Sequence, residues 1–317
     1  LLAEVAPRLA RIAAFIAVGV FAANVAVAFG LIRYVAGLAG WLTRPANLPD
    51  EVGTAILTTA ASTTAGYATL AEYRESGLLD DRATLVAVTI NTFFGFVQHV
   101  FTFYIPVLIP ILGAETGVVY VSARAGIALA ITVTGVFAGG ALLSERNVDR
   151  AALADVDATG PEDDERTSRE RVREAGEKSW STLRRIVPRL AVVYTLVIAF
   201  VTNYDVEALT SVAEPITGLL GLPGAAVPVI AVYTLDTTAG AVTLAGTEAG
   251  VFTTRTAVAS LLIGGILSFA VSTFRRSIPF QYGIWGAEFG TKVIAVNTAL
   301  KLVFISATVA LLLAPVW

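Results

Sequence analysis

The chain has 317 residues, of which 56% are hydrophobic and only 15% charged, with a formal net charge of −3 and a mean hydropathy of +0.73. It contains no Cys, no Met and a single histidine, His99, which excludes disulfides, a thiol nucleophile and any Cys- or multi-His-ligated metal. No basic excess offers a surface for nucleic acid, and several apolar runs approach the ~20 residues that cross a bilayer core.

A soluble helical protein with this sequence would leave 190–201 and 302–316 with almost no polar face. An all-α integral membrane protein in the cell membrane is therefore expected, its first partner being lipid. Only three of the 22 basic residues are Lys, and the one polar segment is acid-rich, a bias that resembles proteins of salt-loving archaea.

The chain is also written twice. Thr63-Thr64-Ala65-Gly66 recurs as Thr237-Thr238-Ala239-Gly240, and Leu48-Pro49 as Leu222-Pro223, both at an offset of 174 residues. The offset then settles at 173: Gly77 and Arg82 match Gly250 and Arg255, and Ile105-Pro106 matches Ile278-Pro279. Gly113-Ala114-Glu115-x-Gly117 matches Gly286-Ala287-Glu288-x-Gly290, and Pro7-Arg8-Leu9 is echoed at Pro188-Arg189-Leu190. Ordered matches of this kind mean an internal duplication, which in membrane proteins points to a transporter with its site between the halves. The expected division is a membrane repeat at 1–143, a charged cytoplasmic connector at 144–187 and a second membrane repeat at 188–317.

In chain order, each repeat opens with an apolar helix, near 9–30 and 190–202. An amphipathic stretch follows at 31–42 and 206–220. In the second copy Leu209, Val212, Ile216 and Leu219 recur at three-to-four spacing, which suits a helix lying along the interface. Next comes a segment opened by Leu-Pro and interrupted by hydroxyl residues, 49–73 and 223–247. Each is either one full span or a re-entrant hairpin; the cluster of hydroxyls followed by Gly66 favours the hairpin, because non-helical backbone at membrane depth survives only against protein or a water-filled cavity. An apolar helix then runs from Arg82 or Arg255 to the Ile-Pro pair, and a last helix starts near Glu115 or Glu288. With hairpins, each half crosses about three times and the copies are inverted. Loop charges agree: Arg33 and Arg44 in copy one face Asp205, Glu207 and Glu214 in copy two, while Arg275-Arg276 faces Thr102-Phe103. With the connector inside, Arg33, Arg44, Arg74, Arg82, Arg275 and Arg276 are inside, and Arg8, Arg11 and Arg255 outside.

This layout of membrane helix, interfacial helix, Leu-Pro, polar-centred hairpin and helix resembles the Gate or nucleoside-recognition domain. That domain occurs in concentrative nucleoside transporters, in the membrane part of the bacterial ferrous-iron transporter and in spore maturation proteins A and B. The likeness is greatest to uncharacterised archaeal members and covers both halves outside the connector. It implies a transport-like fold with hairpin tips at the substrate. The nucleoside transporters carry Gly-Gln-Thr-Glu-Ser/Ala-Pro at the tip, whereas 58–64 here has neither Gln nor Glu. The iron transporter's pore implies Cys or Met ligands, and the chain has neither.

The candidate substrate-binding residues are Ser62, Thr63, Thr64 and Gly66 at the first break and Thr234, Asp236, Thr237, Thr238 and Gly240 at the second. Asn91, Gln98, Arg124 and Asn297 on the flanking helices join them. Asp236 stands out, since an ionisable group at membrane depth marks a pathway by default; otherwise it caps the inner helix. Asp236, His99, Glu115 and Glu288 are candidates for proton or ion coupling, with Na⁺ or H⁺ as the coupling ion and no other cofactor. Glu115 and Glu288 equally suit helix starts through the macrodipole. Arg124 and Lys301 are either anion ligands or snorkelling cations. Gln281, Tyr282 and Trp285 would line a vestibule or form an interfacial belt.

No hydrolytic signature is present, so the expected protein is not an enzyme. The expected function is movement of a small polar solute, a nucleoside-like compound among the candidates, through a midplane site between the two hairpins. A lipid or polyprenyl-phosphate translocator is the alternative, and a non-transporting membrane partner or scaffold the third reading; among partners, a second copy in a homo-oligomer is a candidate.

Overall fold

The structure, a computed structural model, describes residues 41, 43–149, 167–203, 217–273 and 277–314, with scattered positions between 10 and 29. Most of the first apolar helix, the interfacial stretches at 31–40 and 206–216, and Arg33, Arg275 and Arg276 lie outside the described residues. Helices account for nearly all the rest, with no strand among the described residues.

The hydroxyl-rich segments break where small polar residues interrupt the apolar pattern. Helix α1 (Asp50–Ala61) ends at Ser62, whose backbone is extended (φ −147°, ψ 108°), and α2 (Thr63–Glu75) starts at the next residue. Ser62 Oγ accepts the Ala65 N–H at 3.3 Å, so the residue that ends one helix caps the next. The two helices fold back on each other: Tyr73 Oη, near the end of α2, donates to the carbonyl of Glu51 at the start of α1 at 3.5 Å. Gly66 makes the fold-back close, because a Cβ there would sit 2.8 Å from the Ala55 carbonyl oxygen.

From Asp81 the chain stays helical to Leu112, 32 residues, through α3 (Asp81–Ile90) and α4 (Thr92–His99). The helix expected to stop at Ile105-Pro106 instead continues through a π-helical stretch, Val100–Leu108, with Pro106 inside it. Proline removes a donor and crowds the carbonyl one turn back, and the wider π winding gives that carbonyl room. At Asn91 the helix is interrupted, and Thr132 repairs the gap. Its Oγ1 donates to the Ile90 carbonyl at 2.8 Å and accepts from the Phe93 N–H at 3.1 Å. Helix α5 (Ala114–Leu142) then runs back, with Gly135 against Ile90 and Gly139 against Ala46 allowing near backbone contact.

Helix α6 (Ser168–Asn203) is a single element of 36 residues that passes through 187 and 188 without interruption. Its polar first half buries Ala175 and Ser179 and presses Leu183 against the core, so part of the charged segment is docked. The second copy follows the plan of the first. Helix α7 (Ala226–Leu235) ends at Asp236 (φ −152°, ψ 119°), and α8 (Thr237–Ala245) starts there, capped by Asp236 Oδ1 on the Ala239 N–H at 2.8 Å. Helix α9 (Thr254–Ser272) and the long α10 (Ile278–Leu313) complete it, α10 being broken at Gly286 (φ 73°). Gly113 (φ 81°) takes the same left-handed turn before α5. The paired glycines at 113 and 286 thus mark one repeated bend that a side chain would strain.

Two large buried cores, beside a small cluster of Leu222, Ala226 and Ala259, each combine one hairpin with a piece of the other copy. The first joins Ile56 and Leu70 to Trp285, Phe289 and Val293; the second joins Val229, Val242 and Leu261 to Leu108, Tyr120 and Ile131. The ends are tied reciprocally. Lys292 Nζ meets Asp81 at 3.0 Å and Glu288 at 3.4 Å, and Arg74 meets Asp81 at 2.8 Å while stacking over Phe289. Elsewhere Thr254 Oγ1 donates to Glu115 at 2.6 Å, and Arg255 donates to the carbonyls of Leu312 and Ala314 at 2.8 Å each.

Among the described residues three helical segments are long and apolar enough to cross a membrane: Asp81–Leu112, Ala114–Leu142 and Ile278–Leu313. Their outer faces carry large bare side chains, Phe137 at 74% and Leu311 at 75% exposure. Contiguous apolar surface of this kind suits lipid and not water.

Candidate functional site

Where the two copies meet, a cavity of about 290 Å³ opens among polar side chains. The tip of the first hairpin contributes Thr63 and Tyr67, and the interrupted helix contributes Asn91, Thr92, Phe96, His99 and Tyr104. Helix α5 adds Arg124, and α10 adds Gln281, Asn297, Thr298 and Lys301. Each side chain reaches the cavity for a local reason. The break at Asn91 lets that residue turn inward, the Ser62 cap aims the start of α2 at α4, and Asn297 and Lys301 share a helix face by i, i+4 spacing. Arg124 and Asn297 occupy equivalent positions of the two copies, as do Ala128 and Lys301, and all four line the cavity. Each copy therefore supplies one cation, one helical turn apart in register.

Asn91 is 1% exposed, and neither its side-chain oxygen nor its nitrogen has a hydrogen-bond partner. A buried amide without partners is costly, and this residue borders the cavity. Thr63 Oγ1 donates to Gln98 Oε1 at 3.0 Å, which ties the first hairpin tip to α4. The Arg124 guanidinium lies among the hydroxyls of Tyr104, Tyr120 and Tyr233. Tyr120 and Tyr233 share a hydrogen bond of 2.5 Å that ties the second hairpin to α5. Trp285 Nε1 donates to Gln281 Oε1 at 2.8 Å and so orients that amide at the cavity wall.

Of the expected site residues, Thr63, Asn91, His99, Arg124 and Asn297 come together around this cavity. Ser62 and Asp236 act as helix caps. Gly66 and Gly240 are close-packing positions, the latter against Tyr233. Thr234 returns its hydroxyl to the Ile230 carbonyl at 2.8 Å. Thr64 is exposed, and Thr237 and Thr238 are half-buried in the first turn of α8. Glu115 and Glu288 sit at helix starts, in the end contacts given above. The sequence reading does not single out Tyr67, Tyr104 or Tyr120. Tyr120 stands four residues before Arg124, a spacing that would have put the phenol and the guanidinium on one helix face.

Among the described residues no group of three or more His, Asp or Glu could hold a metal ion. The chemistry on offer is recognition: cations, amides and hydroxyls facing a space of ligand size.

No family model matches the chain, and no solved structure matches it. Two uncharacterised proteins of Methanocaldococcus jannaschii are similar to it. MJ0871 is 28% identical over 294 residues, covering 92% of this chain and 89% of its own length. MJ0880 is 24% identical over 316 residues, covering 98% and 99%. The likeness spans both copies and the connector.

Proposed function

We propose that this is a multi-pass cell-membrane protein of two inverted repeats that moves a small polar solute through the cavity between them. The observation that carries the reading is the cavity itself: an unpartnered amide and two cations inside segments apolar enough to span a membrane, contributed by both copies. Support for inversion comes from the end contacts. The start of α3 meets the first turns of α10 beyond Gly286, while the start of α9 meets the start of α5. Because α5 begins where the helix from Asp81 ends, equivalent helices run in opposite directions. The hairpin arms agree, since α1 has 12 residues and α7 has 10; at about 1.5 Å per residue each reaches roughly half of a ~30 Å bilayer core. Arg44, Arg74 and Arg82 gather at the connector's end, which is accordingly the cytoplasmic one. His99, in the cavity wall, is the residue assigned to H⁺ coupling in this reading.

The natural absence of cysteine makes a clean test. Single variants Gly95→Cys and Thr298→Cys, both at the cavity, are treated in sealed vesicles with a membrane-impermeant maleimide from either side. A transporter that opens to each face in turn gives labelling from both sides. Labelling from one side only would end the transport reading and leave a membrane scaffold.

A further inference from the structure

We propose that the solute held in this cavity is a doubly charged phosphate monoester, clasped between Arg124 and Lys301. The inference rests on the cavity being the solute site. Both cations line it, neither has an acidic partner among the described residues, and none of the described lining residues is acidic. Ionised side chains at membrane depth are expensive, and two like charges in one cavity repel. An occupant of opposite charge removes both penalties. A guanidinium offers a planar fork of donors that matches phosphate oxygens, and an ammonium offers a point charge. The hydroxyls of Tyr104, Tyr120 and Tyr233 interact with that guanidinium.

Charge balance selects among anions. A phosphate monoester carries about −1.5 to −2 at neutral pH and matches two cations, whereas a carboxylate carries half as much. The remainder of the cavity selects for a polar body attached to the phosphate. Asn91, whose two buried amide atoms have no partner, borders the cavity together with Asn297 and Thr298, and a small side-chain rotation would turn that amide toward an occupant. A hydroxyl-bearing organic group would satisfy that amide, which bare phosphate at the cations would leave unpaired. The phosphate could belong to a soluble metabolite or to a lipid headgroup; the cations read the same chemistry in both.

The test uses the full chain in detergent micelles, with binding followed by shifts of the unfolding midpoint. The probes are glycerol phosphate, inorganic phosphate, acetate, glycerol and micelles doped with phosphatidic acid. Glycerol phosphate is expected to bind at least about tenfold tighter than acetate, inorganic phosphate to compete with it, and glycerol to give no shift. Lys301→Met and Arg124→Ala should each weaken glycerol phosphate about tenfold or more, Lys301→Arg should retain it, and Asn91→Ala should weaken glycerol phosphate but not inorganic phosphate. If Arg124→Ala fails to fold, Lys301→Met alone decides. A shift with phosphatidic acid and none with the soluble phosphates supports the proposal and names a lipid source. No shift with any phosphate, an equal shift with glycerol, or unchanged affinity in a folded Lys301→Met overturns it. Phosphate binding with one-sided maleimide labelling would remove transport and keep the anion site; two-sided labelling without phosphate binding would do the reverse.

Discussion

The two hairpins share a backbone and differ in what they do with it. Ser62 and Asp236 take nearly the same extended conformation and cap the same position of the next helix. Yet the first hairpin reaches the cavity through Thr63 and holds α4 through Gln98, while the second reaches α5 through Tyr233 and Tyr120. Thr59 packs beneath Gly66 where the repeat puts Tyr233 beneath Gly240. The duplication preserved the turn, the cap and the glycine notch, because those make the fold-back possible. The side chains that meet the rest of the protein diverged, so one hairpin tip lines the cavity and the other buttresses the arginine that faces it.

The largest test of this contrast lies at the notches. A Cβ on Gly240 would come within 2.4 Å of Tyr233 Cβ and 2.5 Å of its Cα, atoms that cannot rotate away. At Gly66 the nearest atom is the Thr59 hydroxyl, which can turn, with backbone next at 2.7 Å. Gly240→Ala should therefore cost about 3 kcal/mol and Gly66→Ala about 2 kcal/mol of stability, measured by unfolding in mixed micelles. Equal losses would show that the two notches are equivalent after all.

Next come the ties. Tyr120→Phe or Tyr233→Phe should each cost about 1–2 kcal/mol by stranding a buried hydroxyl. The double variant should cost less than the sum, as contacting partners do in a mutant cycle. Strict additivity would mean that the second hairpin is held elsewhere. The caps follow: Asp236→Ala should cost about 1 kcal/mol and Ser62→Ala somewhat less. Two-sided labelling of Thr298→Cys should survive in the Asp236→Ala background; its loss in a stable variant would return the carboxylate to the transport pathway. Smallest is Thr63→Ala, at about 0.5–1 kcal/mol for one part-buried hydrogen bond.

Much of this could be read from residue order. The repeat pairs Gly113 with Gly286 and Gly77 with Gly250, and all four have positive φ; recurring glycines were visible because only glycine takes that backbone cheaply. The interruptions at Ser62 and Asp236 were legible for a similar reason, as capping residues inside apolar runs. The continuation past Pro106 was not, because proline reads as a stop and the π winding that absorbs it depends on tertiary packing. Nor was the docking of α6, whose buried Ala175 and Ser179 sit in a strongly charged sequence. The site was half legible. Arg124, Asn91, His99 and Asn297 stand out as polar residues in apolar helices, but the tyrosines around Arg124 look like ordinary apolar filling until three segments of chain converge.

The unequal fastenings at the two ends bear on resting occupancy. One end is closed by an ionic cluster of Asp81, Lys292, Glu288 and Arg74, the other by the Glu115–Thr254 hydrogen bond and the Arg255 clasp on the last carbonyls. If the protein alternates between two faces as proposed, one fastening balances the other, and a bias of ~1.4 kcal/mol is already a tenfold preference. The ionic cluster is partly exposed, so added salt screens it more than the hydrogen-bonded end. Raising ionic strength should accordingly shift the population toward opening on the side of Asp81, read as faster maleimide labelling from that side alone.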